Sequence, residues 1–269
     1  MTEPSEPLLQ SRSGGVLTLT LNRPQLKNAV DTRLWDELGA ALHAVARGND
    51  VRAVIVTGAA GNFCSGADLS DAAGAEGFSD PSRMIRGIND VIQQLHDLPV
   101  PTIAKVRGVA AGAGWNIALG CDLVVAAPGA RFCQIFTRRA LSPDCGGSWL
   151  LPKLVGLQQA KRLTLLADTI GAEEAYSLGL VTWVQPEESI DTFTEGIADR
   201  LAAGPPLALA QTKALVNNSA DRTLRDALTD ELRAQTINLS GADVIEAFAA
   251  FAEKRDPVFT GAWGTGGLT

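Results

Sequence analysis

Histidine and tyrosine are scarce in this chain: it has His43 and His96, and one tyrosine, Tyr176. Both histidines fall within amphipathic helical patterns, which gives them structural or solvent-facing roles. No Gly-x-Ser-x-Gly elbow is present, so a serine–histidine triad is disfavoured. General acid–base work then falls to carboxylates, lysine or Tyr176. The four cysteines are Cys64, Cys121, Cys133 and Cys145. No pair has metal-knuckle or redox-motif spacing, and reduced thiols in a cytoplasmic protein are the simplest reading, with no metal expected. No apolar run is long enough to span a bilayer. The stretch Thr2–Pro7 is polar and acidic, unlike a signal peptide, and residues 1–13 are expected to form a disordered leader. Basic residues are outnumbered, 23 against 30 acidic, for a net charge of −7. That balance disfavours non-specific nucleic-acid binding, and an anionic ligand would need a local cluster of positive charge.

What is present is ordinary for a globular protein with a substantial core: 269 residues, 46% hydrophobic and 20% charged. The most informative stretch runs from Ile103 to Asp122. Lys105 and Arg107 alternate with Ala104 and Val106, the pattern of a half-buried strand. Ala110 to Gly114 then carries almost no side-chain bulk, and a helix follows. Such a bend lets another molecule approach the backbone, and the unpaired N–H groups of a helix start can face an oxygen that is becoming negative. The same residues also suit a tight strand-to-helix connection chosen only for packing. A dinucleotide fingerprint fails because Ile117 stands at its third glycine, and no Gly-Lys-Ser/Thr end makes a phosphate loop.

Elsewhere Val16–Leu21 alternates as a strand, Asp31 caps a helix striped by Leu34, Leu38, Leu42 and Val45, and Val51–Gly58 reads as a buried strand. Gly61–Leu69 is a second loop of small residues at a strand end. Residues 71–81 are rich in Gly, Ala, Ser and Asp and are expected to be mobile. Asp80-Pro81 opens a helix burying Ile85, Ile88, Ile92 and Leu95. Leu123–Ala127, Phe132–Phe136 and Leu178–Val184 read as strands, and Leu141–Trp149 as a third small-residue turn running into a helix. From Ile190 onward everything reads as helix. Leu224, Leu228, Leu232 and Leu239 stripe one helix, and Val244, Phe248 and Phe251 another. Those stripes suit either self-packing or another subunit.

Three of these turns, Phe63–Leu69, Gly108–Gly114 and Pro143–Gly147, together resemble the enoyl-CoA hydratase/isomerase (crotonase) family. Asn22-Arg23-Pro24 with Asn28-Ala29 is similar to its opening motif, and Lys254–Phe259 to its closing one. Each motif alone is weak, but all five in this order are specific, and they span roughly Val16 to Phe259. The resemblance implies an α/β fold, a spiral of ββα repeats over residues 14–200, with a C-terminal helical trimerisation region over 201–269. It implies a homotrimer or a dimer of trimers, an acyl-CoA substrate, and no cofactor, since CoA is part of the substrate. The thioester oxygen would sit between the backbone N–H groups of Ala67 and Ala113. Cys64, Ser65, Ala67, Asp68 and Leu69 would line the CoA, as would Gly112, Ala113 and Gly114, with Phe136 in the pocket. Lys27 and Arg23 are candidate phosphate partners, and the resemblance implies that Lys254 reaches a neighbouring subunit's CoA. Against these three stands the rule that single surface charges are by default simply solvated.

The departures from the family pattern are as informative. Hydratases of the family carry a glutamate on each of two turns, and those positions match Asn116 and Phe136, neither of which moves a proton at neutral pH. A carboxylate stands a turn later, at Asp144. Leu-x-Pro-Asp-Cys-Gly-Gly-Ser-Trp resembles the isomerase branch, closest to the ring-epoxide isomerases of phenylacetyl-CoA breakdown and the Δ3,Δ2-enoyl-CoA isomerases. A 1,3-proton shift needs one base that takes a proton and returns it two atoms away. Burial near Phe136 or Trp149 would raise that base's pKa. Asp144 also suits the role of a helix cap. A hydratase using Asp144 or another acid with water, and a non-catalytic acyl-CoA binder, stay open as alternatives. RNA binding is disfavoured by the acidic charge and the lack of a lysine-rich helix. On this reading Asn116 should matter far less than Asp144.

Overall fold

The computed structural model describes residues 6–68 and 80–262. The segment expected to be mobile lies largely outside them, and so does Leu69. Nine strands among the described residues form two sheets. The larger contains β1 (Leu8–Ser13), β2 (Val16–Leu21), β3 (Ala53–Gly58), β4 (Thr102–Val106), β6 (Leu123–Ala126) and β9 (Trp183–Val184), in the order β1-β2-β3-β4-β6-β9. Within it only the β1–β2 pair is antiparallel. The smaller sheet has the order β5-β7-β8, from β5 (Val109–Ala111), β7 (Arg131–Cys133) and β8 (Thr169–Gly171).

The parallel strands of the larger sheet are apolar on both faces, as strands covered on both sides must be. Leu17, Leu19, Val54, Val56, Ala104 and Val124 point into the main core. Their neighbours Val16, Ala53, Ile55, Ile103 and Val125 point the other way, against helix α6 (Ile190–Ala203). The main core is closed by α1 (Thr32–Arg47), capped by the Asp31 side chain, and α2 (Pro81–His96), capped by Asp80. Chain turns after β4 and β6 step directly to β5 and β7 in the second sheet, and each of these strands is followed by a helical element. After β5 this is α3 (Ala113–Leu119), and after β7 a 3-10 turn (Ile135–Arg139). This repeated step from one sheet to the other is the ββα spiral, and it stacks the strand-end turns that carry the candidate site.

Then come α4 (Gly147–Leu166, broken at Gly156), α5 (Ala172–Ser177), α7 (Pro206–Ser219), α8 (Leu224–Leu239) and α9 (Ala242–Glu253). The last three bury little: α7 has no buried residue, α8 only Ala234 and α9 only Ala250. α7 is tied to the core by Lys213, which meets Asp122 at 2.9 Å, while Asp122 also accepts from the Thr102 backbone and hydroxyl.

Three expectations need correction. Residues 8–13 are not leader but strand β1, whose six backbone pairings to β2 hold it although five of its side chains are exposed. Phe132–Phe136 is strand only through Cys133, because the chain then tightens into the 3-10 turn. Of Leu178–Val184 only Trp183–Val184 pairs, the earlier residues being used to end α5.

Candidate active site

The first two small-residue turns lie side by side. Cys64 N donates to Val109 O and Ala111 N to Cys64 O, both at 2.9 Å, forming a parallel bridge between Cys64 and Ala110. The next loop residues bridge to Val30: its N–H donates to Gly66 O and its carbonyl accepts from Asp68 N. This pattern skips Ala67, whose N–H points away from the bridge. Ala113 is the first residue of α3, so its N–H has no intrahelical acceptor. Among the described residues no backbone carbonyl accepts from either N–H. With seven residues in α3, it is these individual donors, and not a long helix dipole, that the site offers. Gly114 allows this approach: a Cβ there would lie 2.7 Å from Cys64 Cβ and Sγ, and closer still to the Cys64 carbonyl oxygen.

The third turn brings in the carboxylate. Asp144 is half-buried, and its Oδ1 is buried with no hydrogen-bond partner among the described residues. Burial pushes its pKa above the usual aspartate range, and the Cys145 thiol and its own backbone N–H pull it back only in part. Burial also pushes the Cys64 thiol up to about 12 and raises Cys145 further, so both are neutral fillers and not nucleophiles. Asp144 does not cap a helix with its side chain: α4 begins after Gly146 with no side-chain cap bond.

The two positions matched to hydratase acids lie beside these turns. Phe136 is buried, its ring over Gly112, where a Cβ would meet Cζ at 3.7 Å. Asn116 is fully buried. Its Nδ2 donates to the Asp144 carbonyl and its Oδ1 accepts from Gln134 Nε2, each at 2.8 Å. Sequence reasoning misses Gln134, whose one signal is being the lone polar residue in the run Phe132–Phe136. Trp149 is exposed, and its ring contacts are His96, edge-on at 5.4 Å, and Lys153, 3.9 Å above it.

The other candidates fall around the first loop. Ser65 is fixed to the exposed Lys27 turn: Ser65 N donates to Lys27 O at 3.0 Å and its hydroxyl to Leu26 O at 2.9 Å. Lys27 itself has φ +50, at the end of a short 3-10 turn. Arg23 is employed internally: its guanidinium, 15% exposed, bridges Asp31 at 3.2 Å and Asp68 at 2.7 Å and donates to Ala29 O. That corrects the expectation that Arg23 meets a phosphate, and it turns the Asp68 carboxylate toward the loop's own anchor. Lys254 is exposed at the end of α9, remote in sequence from the three turns. A cavity of about 230 Å³ between α7, α8 and α9, lined by Pro205, Leu207, Asn238, Val244 and Phe259, includes none of the candidate residues.

Two backbone N–H groups without a backbone acceptor among the described residues and one half-buried carboxylate thus lie on adjoining turns. Comparison with known proteins places the chain. Residues 11–262 match the family model described as Enoyl-CoA hydratase/isomerase, and the chain belongs to that family, whose members act on acyl-CoA substrates. It is 41% identical over 93% of its length to a Rhodobacter capsulatus protein named a probable enoyl-CoA hydratase, covering 96% of that protein. It is 37% identical over 95% of its length to the Escherichia coli 1,2-epoxyphenylacetyl-CoA isomerase, covering 99% of that protein. Among solved structures, a putative enoyl-CoA hydratase from Streptomyces coelicolor A3(2) matches with a TM-score of 0.91 and 39% identity, over 97% of this chain and 96% of that one. The crotonase fold is thereby shown. No helix among the described residues is long and apolar enough to cross a membrane.

Proposed function

We propose that this enzyme is an isomerase that shifts a double bond, or rearranges a ring epoxide, on an acyl-CoA thioester through an enolate, with Asp144 as its single base. The observation that carries the reading is the Asp144 carboxylate itself: half-buried, with raised pKa and an Oδ1 that has no hydrogen-bond partner among the described residues, while Asn116 and Phe136 fill the two positions matched to hydratase acids. With a 3-enoyl-CoA, the thioester oxygen accepts from the N–H groups of Ala67 and Ala113. Asp144 removes a proton from C2, the electrons move to the thioester oxygen, and the resulting dienolate takes a proton from the Asp144 carboxyl at C4, so that a proton exchanged with solvent on the carboxyl also ends in the product. The product is the 2-enoyl-CoA, and no atom is gained or lost. Each oxyanion donor lowers such a barrier by about 3–4 kcal/mol. A base whose pKa lies above an ordinary aspartate's holds the abstracted proton more firmly and so matches the α-carbon better. The reaction needs no cofactor beyond the CoA of the substrate. Lys27 and Lys254 are the candidate basic residues left to meet the CoA phosphates.

The hydratase reading has its own support, in relatives named as hydratases of enoyl-CoA and of 2,3-dehydroadipyl-CoA. The test is a product assay with a 3-enoyl-CoA and a 2-enoyl-CoA side by side. Conversion of the first to the second, without hydration of the second, is expected. Formation of 3-hydroxyacyl-CoA from the 2-enoyl-CoA at comparable rate would replace isomerase by hydratase, and binding without turnover of either would leave an acyl-CoA binder.

We also propose a homotrimer or a dimer of trimers. Val216, Leu224, Leu228, Leu232, Phe248 and Phe251 are all more than half exposed on α7–α9, an apolar surface that a monomer in water rarely leaves open.

A further inference from the structure

Asn116 has both ends of its amide engaged away from water. A carbonyl oxygen can only accept, so the atom facing Asp144 O must be Nδ2, and the Gln134 Nε2 donor at Oδ1 holds the amide in that sense. Gln134 is itself fully buried. Asn116 also lies on α3 three residues after Ala113, in a first turn closed by Asn116 N to Gly112 O at 3.0 Å. One side chain therefore links the helix start that carries an oxyanion donor to the turn that carries the carboxylate.

The turn needs that link. Cys145, at φ +49, and Gly146, at φ +75, are consecutive left-handed residues, a conformation unfavourable for a residue with a side chain. Besides Asn116, the Asp144 carbonyl accepts only from Gly147 N, at 2.9 Å, among the described residues. Gly147 is itself shaped to the amide, since a Cβ there would come within 2.7 Å of Asn116 Oδ1 and 2.8 Å of its Cγ.

We infer that Asn116, oriented by Gln134, is a positioning residue that sets the Asp144 turn relative to the oxyanion donor at Ala113. The inference rests on the reading of Asp144 as the base. It also gives position 116 a use of its own. A glutamate or aspartate anion there would set a second acceptor against the Asp144 carbonyl, so this chain's amide is matched to a base on the third turn.

Asn116→Asp provides the test, because the protonation state of the introduced carboxyl decides whether it can replace the amide. Protonated, that carboxyl donates to Asp144 O through its hydroxyl and accepts from Gln134 through its carbonyl; ionised, it can only accept. The titratable groups on the turn it bonds are Asp144 and Cys145, and Cys145 in turn faces Cys64 on the first loop. With 3-hexenoyl-CoA as substrate, kcat of Asn116→Asp should match wild type at the acid end of the profile. It should then fall by about 10–100-fold as pH rises, a limb absent from wild type, with KM little changed, as expected for a misplaced base. Gln134→Met removes only the orienting donor and should lower kcat by about tenfold, again without raising KM. A wild-type pH profile and kcat in Asn116→Asp would overturn the inference. If that variant does not fold, wild-type kcat in Gln134→Met overturns it instead. Asp144→Asn, run alongside, separates the two readings. Retained turnover there removes the base assignment, whereas lost turnover with unaffected Asn116 and Gln134 variants removes only the positioning role.

Discussion

Gly114→Ala turns the geometry of the oxyanion site into a number. The new Cβ would stand 2.7 Å from Cys64 Cβ and Sγ, where ordinary contact begins near 3.4 Å. The start of α3 must therefore retreat from the Cys64 loop by at least about 0.7 Å, and further to clear the Cys64 carbonyl oxygen, a distance that takes a hydrogen bond of ~2.9 Å beyond useful length. Ala113 N is one residue upstream of the clash and Ala67 N three residues beyond Cys64, so the separation of the two donors is what changes. Losing one oxyanion donor costs about 10²–10³ in kcat, and overpacking costs about 1–3 kcal/mol of stability. Gly87→Ala is the control. Gly87 lies within α2 with nothing within 4 Å of its would-be Cβ, so alanine should stabilise by up to about 1 kcal/mol and leave kcat alone. Urea unfolding and steady-state rates on a 3-enoyl-CoA, measured for both variants, make the comparison. Wild-type kcat in a folded Gly114→Ala would refute the placement of the donors at these turns.

Other substitutions sort the remaining roles. Ala67→Gly should be mild, because only the backbone serves, whereas Ala113→Val should crowd the thioester and raise KM while lowering kcat; unchanged kinetics in Ala113→Val would count against the site. Asp144 has a raised folded pKa, so its ionisation weakens folding as pH rises through that value, and Asp144→Asn should be at least as stable as wild type at neutral pH by thermal unfolding. Asp191 is the opposite case: hydrogen bonds from Arg107 and Lys105 lower its pKa to about 2, so the stability it contributes is present above the ordinary carboxylate range and is lost as pH falls toward 2. Asp191→Asn should flatten that acid limb of the stability profile. Sedimentation at micromolar concentration should give a trimer or hexamer, and a monomer would contradict the assembly proposed.

Part of this architecture is legible in the residue order, and the rest is hidden for physical reasons. Buried parallel strands such as Ala53–Gly58 declare themselves as short unbroken apolar runs, and helices like α1 by the spacing of their apolar stripe. The three small-residue turns are visible because only small residues permit their close backbone approach. β1 is hard to read since an edge strand with five exposed side chains has no apolar signature. β5 and β8, three residues each, are too short for a period. Asn116 looks marginal in the sequence. Its partner Asp144 lies 28 residues away, and a hydrogen bond from a side chain to a distant backbone carbonyl leaves no local pattern. Arg23 shows the same limit in reverse: the motif exposes the residue, while its pairing with Asp31 and Asp68 depends on tertiary structure.

The most direct test of Asp144 as the base is exchange of the substrate's α-protons with solvent deuterium, followed by NMR or mass spectrometry on 3-hexenoyl-CoA. Wild-type enzyme should exchange or transfer these protons at the pace of turnover. Asp144→Asn, which keeps shape and polarity but cannot accept the proton, should bind the thioester and slow both exchange and turnover by about 10²–10⁴. Exchange at the wild-type rate in Asp144→Asn would contradict the account, since enolate formation would then belong to another group.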